Sequence, residues 1–299
     1  MHFEEQFNEL LNMNNIQMFN KLVQDGFIQD TMICQACNVV MCLKPTGNKI
    51  DGIEWRCMNY RCPKYQTTYS IRKGSWLENF KISAKTIYKI LLYWSNGLIQ
   101  KNILRFVDIG RNTLSVFRKL LLSKIDTYFI NNPIMLGGVG SIVNIDETMI
   151  NHKVKAHRGR APHNQTWLLC IVDCSFIPAR GYCSIVENRS AASMLPIISR
   201  VVRQGSTIYT DDFKSYNSLG NINNYNHGIV THKYHFVDPV TGVHTQHVES
   251  FNNKLKSKIK EMKGLTDEGR RLFLQEFMFL DLFKESSYLK IIEILSLKD

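Results

Sequence analysis

Acidic residues in three separate segments of the sequence stand in local patterns suited to holding divalent metal ions. Asp146 lies inside the apolar run 142–150, Asp211 and Asp212 follow a short β-branched segment, and Glu249 begins a basic helix-like stretch. A carboxylate inside an apolar strand is costly unless a cation or another partner satisfies it. The alternative for Asp146 is a solvent-facing acid on an edge strand. Because Mg2+ and Mn2+ prefer carboxylate oxygens, we predict a metal site if the fold brings these acids together.

The period of a β-strand decides which neighbouring side chains share a face with these acids. Asp146 shares a face with Asn144, whereas Glu147 points to the other side, because side chains alternate along a strand. Asp211 and Asp212 stand where a strand gives way to a loop, and ligands gather at such ends in α/β sheets. Spacing alone allows either of them to be the ligand.

The segment after Glu249 is rich in lysine. Its lysines are Lys254, Lys256, Lys258, Lys260 and Lys263. Lys256 lies two helical turns after Glu249 and shares its face. A solvated surface helix is the usual role of such a charge run, but the excess of lysine over acid favours contacts with phosphate. Metal ions on three carboxylates beside bound phosphates would support phosphodiester chemistry without a covalent nucleophile.

A second basic cluster directly follows the strand of Asp146. It spans residues 151–160 and contains Lys153, Lys155, Arg158 and Arg160. A hairpin at this position would lie beside the predicted carboxylate site and contact the DNA backbone.

Two cysteine pairs near the start of the chain have the spacing of a zinc ribbon. Cys34 and Cys37 are separated by two residues, and Cys57 and Cys62 by four. Four thiolates complete a tetrahedral site, and so small a unit would depend on the metal for its folding energy. Cys42 is a spare that could replace one of the four. Free buried thiols are the alternative interpretation.

Composition favours a protein that binds a polyanion. The 299 residues carry a net charge of +11, and since residues 1–30 carry −4, the remainder carries +15. Nucleic acid is the commonest partner of such a basic chain. No apolar run reaches the roughly 18 residues needed to span a bilayer. The acidic amphipathic N-terminus is not a secretion signal, so we expect an intracellular protein without membrane contact.

Periodicity and breaks divide the chain into five regions. They are N-terminal amphipathic helices at 1–30, a zinc ribbon at 31–75, a helical region at 76–135, an α/β domain at 136–264 and a covering helix at 265–299. Three short helices within the helical region 76–135 fit a helix-turn-helix, and Arg111 and Arg118 would lie on or near its last helix as DNA-binding residues. A plain helical linker fits nearly as well. The order of the α/β domain, three strands, a helix, a strand and later helices, matches a ribonuclease H-like fold.

A string of short motifs, in order over residues 34–280, resembles transposases of the Merlin superfamily and is similar to bacterial insertion-sequence transposases with a zinc ribbon. The motifs are Asp51-Gly-Ile-Glu-Trp-Arg-Cys57, Tyr69-Ser-Ile-Arg-Lys-Gly-Ser75, Val143-Asn-Ile-Asp-Glu147, Arg158-Gly-Arg160, Val186-Glu-Asn-Arg-Ser190, Leu195-Pro-Ile-Ile198, Gly205-Ser-Thr-Ile-Tyr-Thr-Asp211, Phe236-Val-Asp-Pro239 and Val243-His-Thr-Gln-His-Val-Glu249.

This resemblance implies a DDE transposase with a ribonuclease H-like catalytic core. It implies catalysis by Asp146, Asp211 and Glu249 with Mg2+ or Mn2+, which selects Asp211 over Asp212, and it matches Lys256 to a lysine of the last motif. The implied partners are double-stranded DNA, as terminal inverted repeats and target DNA, and further copies of the chain.

The chain departs from the family pattern at a few positions. Phe213 and Asn252 stand where tryptophan is expected, and the second cysteine pair is widened. These departures leave open a transposase-derived DNA-binding protein without catalysis. A separate alternative is a nuclease of the same fold that does not transpose. A eukaryotic host would place the protein in the nucleus, and another host in the cytoplasm.

Overall fold

The chain folds into two compact units. The computed structural model describes residues 3–150, 165–230, 244–262 and 266–297. The first unit comprises Met1–Lys124 with Glu285–Asp299, and the second comprises Ile125–Lys284. Among the described helices, none is both long and apolar enough to cross a bilayer.

The helices and strands can be given in chain order. The helices are α1 Phe3–Asn12, α2 Asn15–Gln24, α3 Ala84–Ser95, α4 Gln100–Ile103, α5 Arg111–Asn131, α6 Ala191–Val201, α7 Gln246–Glu261, α8 Asp267–Phe283 and α9 Ser287–Leu295. The strands are β1 Cys42–Pro45, β2 Ile53–Arg56, β3 Thr68–Ser70, β4 Ile142–Met149, β5 Trp167–Asp173, β6 Arg180–Val186, β7 Thr207–Asp211 and β8 Asn226–Val230.

Two helices of the first unit, α2 and α3, begin at polar caps that the sequence supplies. Asn14 and Gln17 form a reciprocal capping box at the start of α2, and the Ser83 hydroxyl accepts from the Thr86 N–H at the start of α3. These contacts satisfy N–H groups that the helix itself leaves without partners. Helix α3 is apolar on most of its surface and packs against α1 and α9.

A buried ion pair joins the small sheet of the first unit to α3. The sheet is antiparallel with the order β1-β2-β3. Just after β3, the Arg72 guanidinium donates to both carboxylate oxygens of Asp51 at 2.6 Å, and Asp51 also accepts from the N–H of Ala84 at 3.1 Å. Arg72 further donates to the carbonyls of Phe80 and Ile82. Both charged groups thus bond to each other and to backbone groups, and a buried charge pair needs such additional hydrogen bonds.

The second unit is built on a five-stranded mixed sheet of the order β6-β5-β4-β7-β8. Neighbours in β6-β5-β4 are antiparallel, whereas β7 is parallel to β4 and β8 is parallel to β7. One face packs an apolar cluster with α6, and the other packs an apolar cluster with α7 and α8. The mixed α/β class predicted from the sequence is therefore present.

The C-terminal region divides between the two units. Helix α8 contacts β6 in the second unit, whereas α9 contacts α3 in the first. The boundary between the two units falls within α5, after Lys124. Helix α4 is short, with four residues.

Candidate active site

Two of the predicted carboxylates lie side by side on neighbouring parallel strands. The register of β4 and β7 pairs Ile142 with Thr207 and Asn144 with Tyr209. Two residues further along each strand stand Asp146 and Asp211. Because the strands are parallel and side chains alternate, both carboxylates lie at the same level and on the same face of the sheet.

The cross-strand partners of β4 identify that face. Asp146 lies opposite Cys170, which belongs to the apolar cluster under α7 and α8. Glu147 lies opposite Leu169, which belongs to the cluster under α6. Asp146 therefore faces α7 and Glu147 faces α6, as the alternation predicts.

Helix α7 brings Glu249 towards the same region. The Asn252 Nδ2 atom donates to Asp146 Oδ2 at 2.8 Å, and Asn252 is buried. Glu249 precedes Asn252 by three positions, so it lies one turn earlier on a similar side of the helix. The Thr245 hydroxyl donates to Glu249 Oε1 at 3.1 Å, and the positive end of the helix dipole favours a carboxylate in this first turn.

Asp211 and Asp212 differ in their surroundings. Asp211 is the last residue of β7, is half-buried, and accepts a 3.1 Å hydrogen bond at Oδ1 from the backbone N–H of Phe213. Asp212 follows the strand and is exposed. The fold thus orients Asp211 at the end of the sheet.

The three predicted carboxylates do not form a compact ligand set among the described residues. Among the described residues, the one group of three or more possible ligand side chains with all ligand atoms within 4.8 Å of one another is formed by cysteines. The ligand atoms of Asp146, Asp211 and Glu249 therefore do not all lie within that distance of one another. Their hard oxygen donors suit Mg2+ or Mn2+, and a cation's charge would offset the repulsion that opposes closer approach.

Asn252 and Asn144 are site residues whose roles the sequence did not reveal. Asn144 lies two residues before Asp146 on its face, is fully buried, and both its amide atoms lack partners among the described residues. The Asn252 Oδ1 atom lacks one as well. The sequence signal that could have identified Asn252 is its spacing of three from Glu249. This spacing places both residues on a similar side of α7, the side that contacts the strand of Asp146.

Glu147 is held in a polar contact on the opposite face of β4. The Tyr216 hydroxyl donates to Glu147 Oε1, and an Arg189 guanidinium nitrogen lies 3.7 Å from Oε2. Burial raises the pKa of Glu147 to about 7, with the charges of Asp211 and Asp146 adding to the rise and Tyr216 and Arg189 opposing it. Since Tyr216 lies in the turn after β7, this contact fixes the segment that follows Asp211.

The predicted DNA-binding lysines of α7 have different surroundings. Lys256 is half-buried, and its charge opposes the strong rise that burial causes in the pKa of the Cys170 thiol. It therefore lies near the face that carries Asp146, whose strand partner is Cys170. Lys254 instead forms an ion pair with the buried Asp281 of α8.

The remaining predicted DNA contacts are only partly described. Arg111 is exposed at the start of α5, and Arg118 lies two turns later and is half-buried. Lys153, Lys155, Arg158 and Arg160 lie outside the described residues.

Four cysteine sulfur atoms of the first unit form a compact cluster. The Sγ atoms of Cys34, Cys37, Cys57 and Cys62 all lie within 4.8 Å of one another. The Cys34–Cys62 and Cys37–Cys57 separations are both 3.8 Å. A tetrahedron with Zn–S bonds of about 2.3 Å places its sulfurs about 3.8 Å apart, so the cluster could hold a structural zinc ion.

Backbone hydrogen bonds in the cluster favour the thiolate form of Cys34. Hydrogen bonding from the backbone of Ala36 lowers the pKa of Cys34 to about 7, although burial opposes it. Cys42 is exposed and is not part of the cluster.

Comparison with known proteins matches the second unit to a described family of domains. Residues 135–279 match the family model of the ISXO2-like transposase domain. An uncharacterized transposase-like protein of Haemophilus influenzae is 30% identical over 95 residues, which is 32% of this chain and 75% of the relative. A cryo-EM structure of a simian T-cell lymphotropic virus intasome in complex with PP2A regulatory subunit B56 gamma is similar with a TM-score of 0.32 and 15% identity, over 64% of this chain and 68% of that chain. The region matched by the family model contains all three predicted carboxylates.

Proposed function

Because the chain belongs to the family of transposases with the ISXO2-like domain, we propose that it is a DDE-type DNA transposase that cleaves and joins DNA at the terminal inverted repeats of its element. The finer resemblance to the Merlin superfamily, carried by the sequence motifs, is part of this proposal.

One observation carries the catalytic assignment. Asp146 and Asp211 lie at the same level of neighbouring parallel strands, under a helix that carries Glu249 and contacts Asp146 through Asn252. Three acids carried by separate elements on one face of a sheet could supply the oxygen ligands that a divalent-metal site needs. The strand order, with three antiparallel strands followed by two parallel ones, supports a ribonuclease H-like core.

The proposed roles of the protein groups follow from their positions. Asp146, Asp211 and Glu249 would hold Mg2+ or Mn2+, with Asn252 and the Phe213 N–H orienting the first two carboxylates. When bound, such ions lower the pKa of the attacking water or 3′-hydroxyl and stabilise the leaving oxygen. Lys256, near the face that carries Asp146, would bind a phosphate of the DNA next to the scissile bond.

The other parts of the chain would bring DNA to this site. The cysteine cluster would hold a structural zinc ion that stabilises the ribbon, and the helical region with Arg111 and Arg118 would bind the inverted repeat. The net charge of +11 favours DNA, and pairing of two element ends requires more than one copy of the chain.

The proposal is tested with the purified protein and DNA that carries the ends flanking its gene. We expect nicking and strand transfer that depend on Mg2+ or Mn2+ and are lost in Asp146→Asn and in Glu249→Gln. Sequence-specific binding without any cleavage would instead identify a DNA-binding protein derived from a transposase. Hydrolysis without strand transfer would identify a nuclease.

A further inference from the structure

A groove on the second unit lies apart from the proposed catalytic carboxylates. It has a volume of about 340 Å3 and lies between the β5–β6 loop, α7 and the end of α8. One wall consists of Phe176, Ile177 and Pro178, and the opposite wall includes Ser250 and Lys254 of α7. Ser250 and Lys254 are one turn apart, whereas Glu249 points about 100° away from Ser250, so the groove lies on another flank of the helix.

The apolar wall of the groove is unusually exposed. Ile177 has 102% of the reference exposure of an isoleucine, and Phe176 has 38%. The Arg180 guanidinium carbon lies 3.8 Å from the centroid of the Phe176 ring. An aromatic ring and a guanidinium plane in contact form a preformed surface on which a planar group can stack.

Two cations, Lys254 and Lys284, line the groove together with the buried Asp281, and Arg180 lies against the groove residue Phe176. Lys254 pairs with Asp281, and Lys284 donates to the Pro178 carbonyl at 3.0 Å. Burial lowers the pKa of Lys284, and the charges of Lys254 and Arg180 lower it further while Asp281 raises it. Lys254 and Arg180 therefore lie close enough to Lys284 for their charges to act on it, as does the carboxylate of Asp281. The groove is electropositive beside an apolar wall.

The backbone also supports a functional role for this rim. Lys284 has a φ of +45°, a region that non-glycine residues seldom occupy. Such strain is retained where surrounding structure enforces it, and it clusters at ligand-binding positions. The Lys284 amino group lies against the loop that carries Ile177, since it donates to the Pro178 carbonyl.

We propose that this groove binds an unstacked nucleotide of DNA. Phe176 and Ile177 contact the base, Arg180 stacks beside it, and Lys254 and Lys284 bind the flanking phosphates. Apolar side chains flanked by cations are the device by which proteins wedge between base steps and kink a duplex. The assignment rests on the proposed function in one respect, that the partner of this chain is DNA.

The test uses binding of short labelled duplexes to the full-length protein in buffer without added Mg2+, so that cleavage plays no part. Three probes share one sequence: a fully paired duplex, a duplex with a single unpaired adenine, and the same duplex with an abasic spacer in place of that adenine. We expect the unpaired adenine to improve affinity about tenfold over the paired duplex, and the abasic spacer to remove that gain. Stacking of one base contributes about 1–3 kcal/mol, and the free energy of a tenfold gain in affinity lies in the lower part of that range.

Matched substitutions locate the site. Ile177→Ser should remove the preference for the unpaired adenine, whereas Ile185→Ser, an exposed isoleucine of the same unit outside the groove, should keep it. Lys284→Ala should reduce the slope of log affinity against log salt by about 0.9, the contribution of one phosphate contact. Circular dichroism of each variant checks that it is folded.

Two outcomes would overturn the proposal. One is wild-type protein that binds all three probes equally. The other is Ile177→Ser protein that keeps the full preference for the unpaired adenine. That result would indicate that the exposed wall binds a protein partner and not a base. Neither outcome touches the catalytic assignment, because the binding assay requires no cleavage. Conversely, an inactive protein that keeps the preference would refute the transposase function and leave the groove assignment standing.

Discussion

The amide of Asn252 donates a 2.8 Å hydrogen bond to the carboxylate of Asp146, and so links α7 to the strand at the centre of the sheet. This contact joins residues 106 positions apart in the chain. It aligns the helix that carries Glu249 with the strand that carries Asp146, which the proposed metal site requires.

Removal of this amide should impair catalysis more than folding. We expect Asn252→Ala to lower the rate of Mg2+-dependent nicking about 10- to 100-fold and to raise the Mg2+ concentration needed for half-maximal rate, because partners that orient metal ligands have effects of this size. The neighbouring Asn253 is exposed, and Asn253→Ala should retain the wild-type Mg2+ dependence. Equal Mg2+ titrations for Asn252→Ala and wild type would show that the amide does not orient Asp146.

The cysteine cluster should bind zinc stoichiometrically. We expect a single zinc ion per chain by elemental mass spectrometry, lost in Cys34→Ser and Cys62→Ser, because both sulfurs belong to the cluster. Cys42→Ser is the control, since Cys42 is exposed outside it. Fresh protein without zinc, or full zinc content in Cys34→Ser, would contradict a zinc ribbon. Removal of the ion should also unfold the small sheet of the first unit, seen as lost amide protection in hydrogen exchange.

Close packing of α7 on the sheet requires a glycine in β6. A Cβ atom at Gly181 would lie 2.0 Å from the Phe251 ring of α7, so Gly181→Ala forces the helix or the ring to move. We expect a loss of about 1–3 kcal/mol in the free energy of unfolding, measured by denaturant titration. Gly220→Ala should be near neutral, because nothing lies within 4 Å of its added methyl group. Similar midpoints for the two variants would argue against this packing.

The buried ion pair of the first unit should be costly to break. Arg72→Ala leaves Asp51 buried with one remaining N–H donor from Ala84, and we expect a loss of about 3–5 kcal/mol in the free energy of unfolding. The exposed Lys290–Glu293 pair gives a comparison, since Glu293→Ala should cost less than about 1 kcal/mol. Comparable losses for the two variants would show that burial does not set the strength of the first pair.

Strand alternation explains why much of the second unit could be predicted from the sequence. The apolar runs predicted strands at 142–150, 166–173 and 181–187, and the structure has β4, β5 and β6 within one residue or two of these limits. The opposite orientations of Asp146 and Glu147 follow from the same period of two. Strand β8 was not predicted, because its sequence NHGIV is short and contains a glycine and two polar residues.

Contacts between distant elements could not be predicted from local pattern. The ion pair between Lys254 and Asp281, which lies 27 positions later on α8, could not be read from the lysine-rich pattern, and the predicted contact of Lys254 with phosphate stays a prediction. Asn252 was noted only as a departure from a family pattern, and its hydrogen bond to Asp146 depends on how α7 lies on the sheet. Such relationships are set by packing of helices on a sheet, which no sequence period encodes.

The central claim, that Asp146, Asp211 and Glu249 form a metal-dependent catalytic site, is tested most directly by comparing two adjacent acids. Asp211 ends β7 with its carboxylate fixed by the Phe213 N–H, whereas Asp212 is exposed beyond the strand. The measurement is the rate of Mg2+-dependent nicking of DNA that carries the element ends. We predict that Asp211→Asn abolishes nicking and that Asp212→Asn retains it within about threefold, well under the tenfold change that about 1.4 kcal/mol produces. Undiminished nicking by Asp211→Asn would contradict the account.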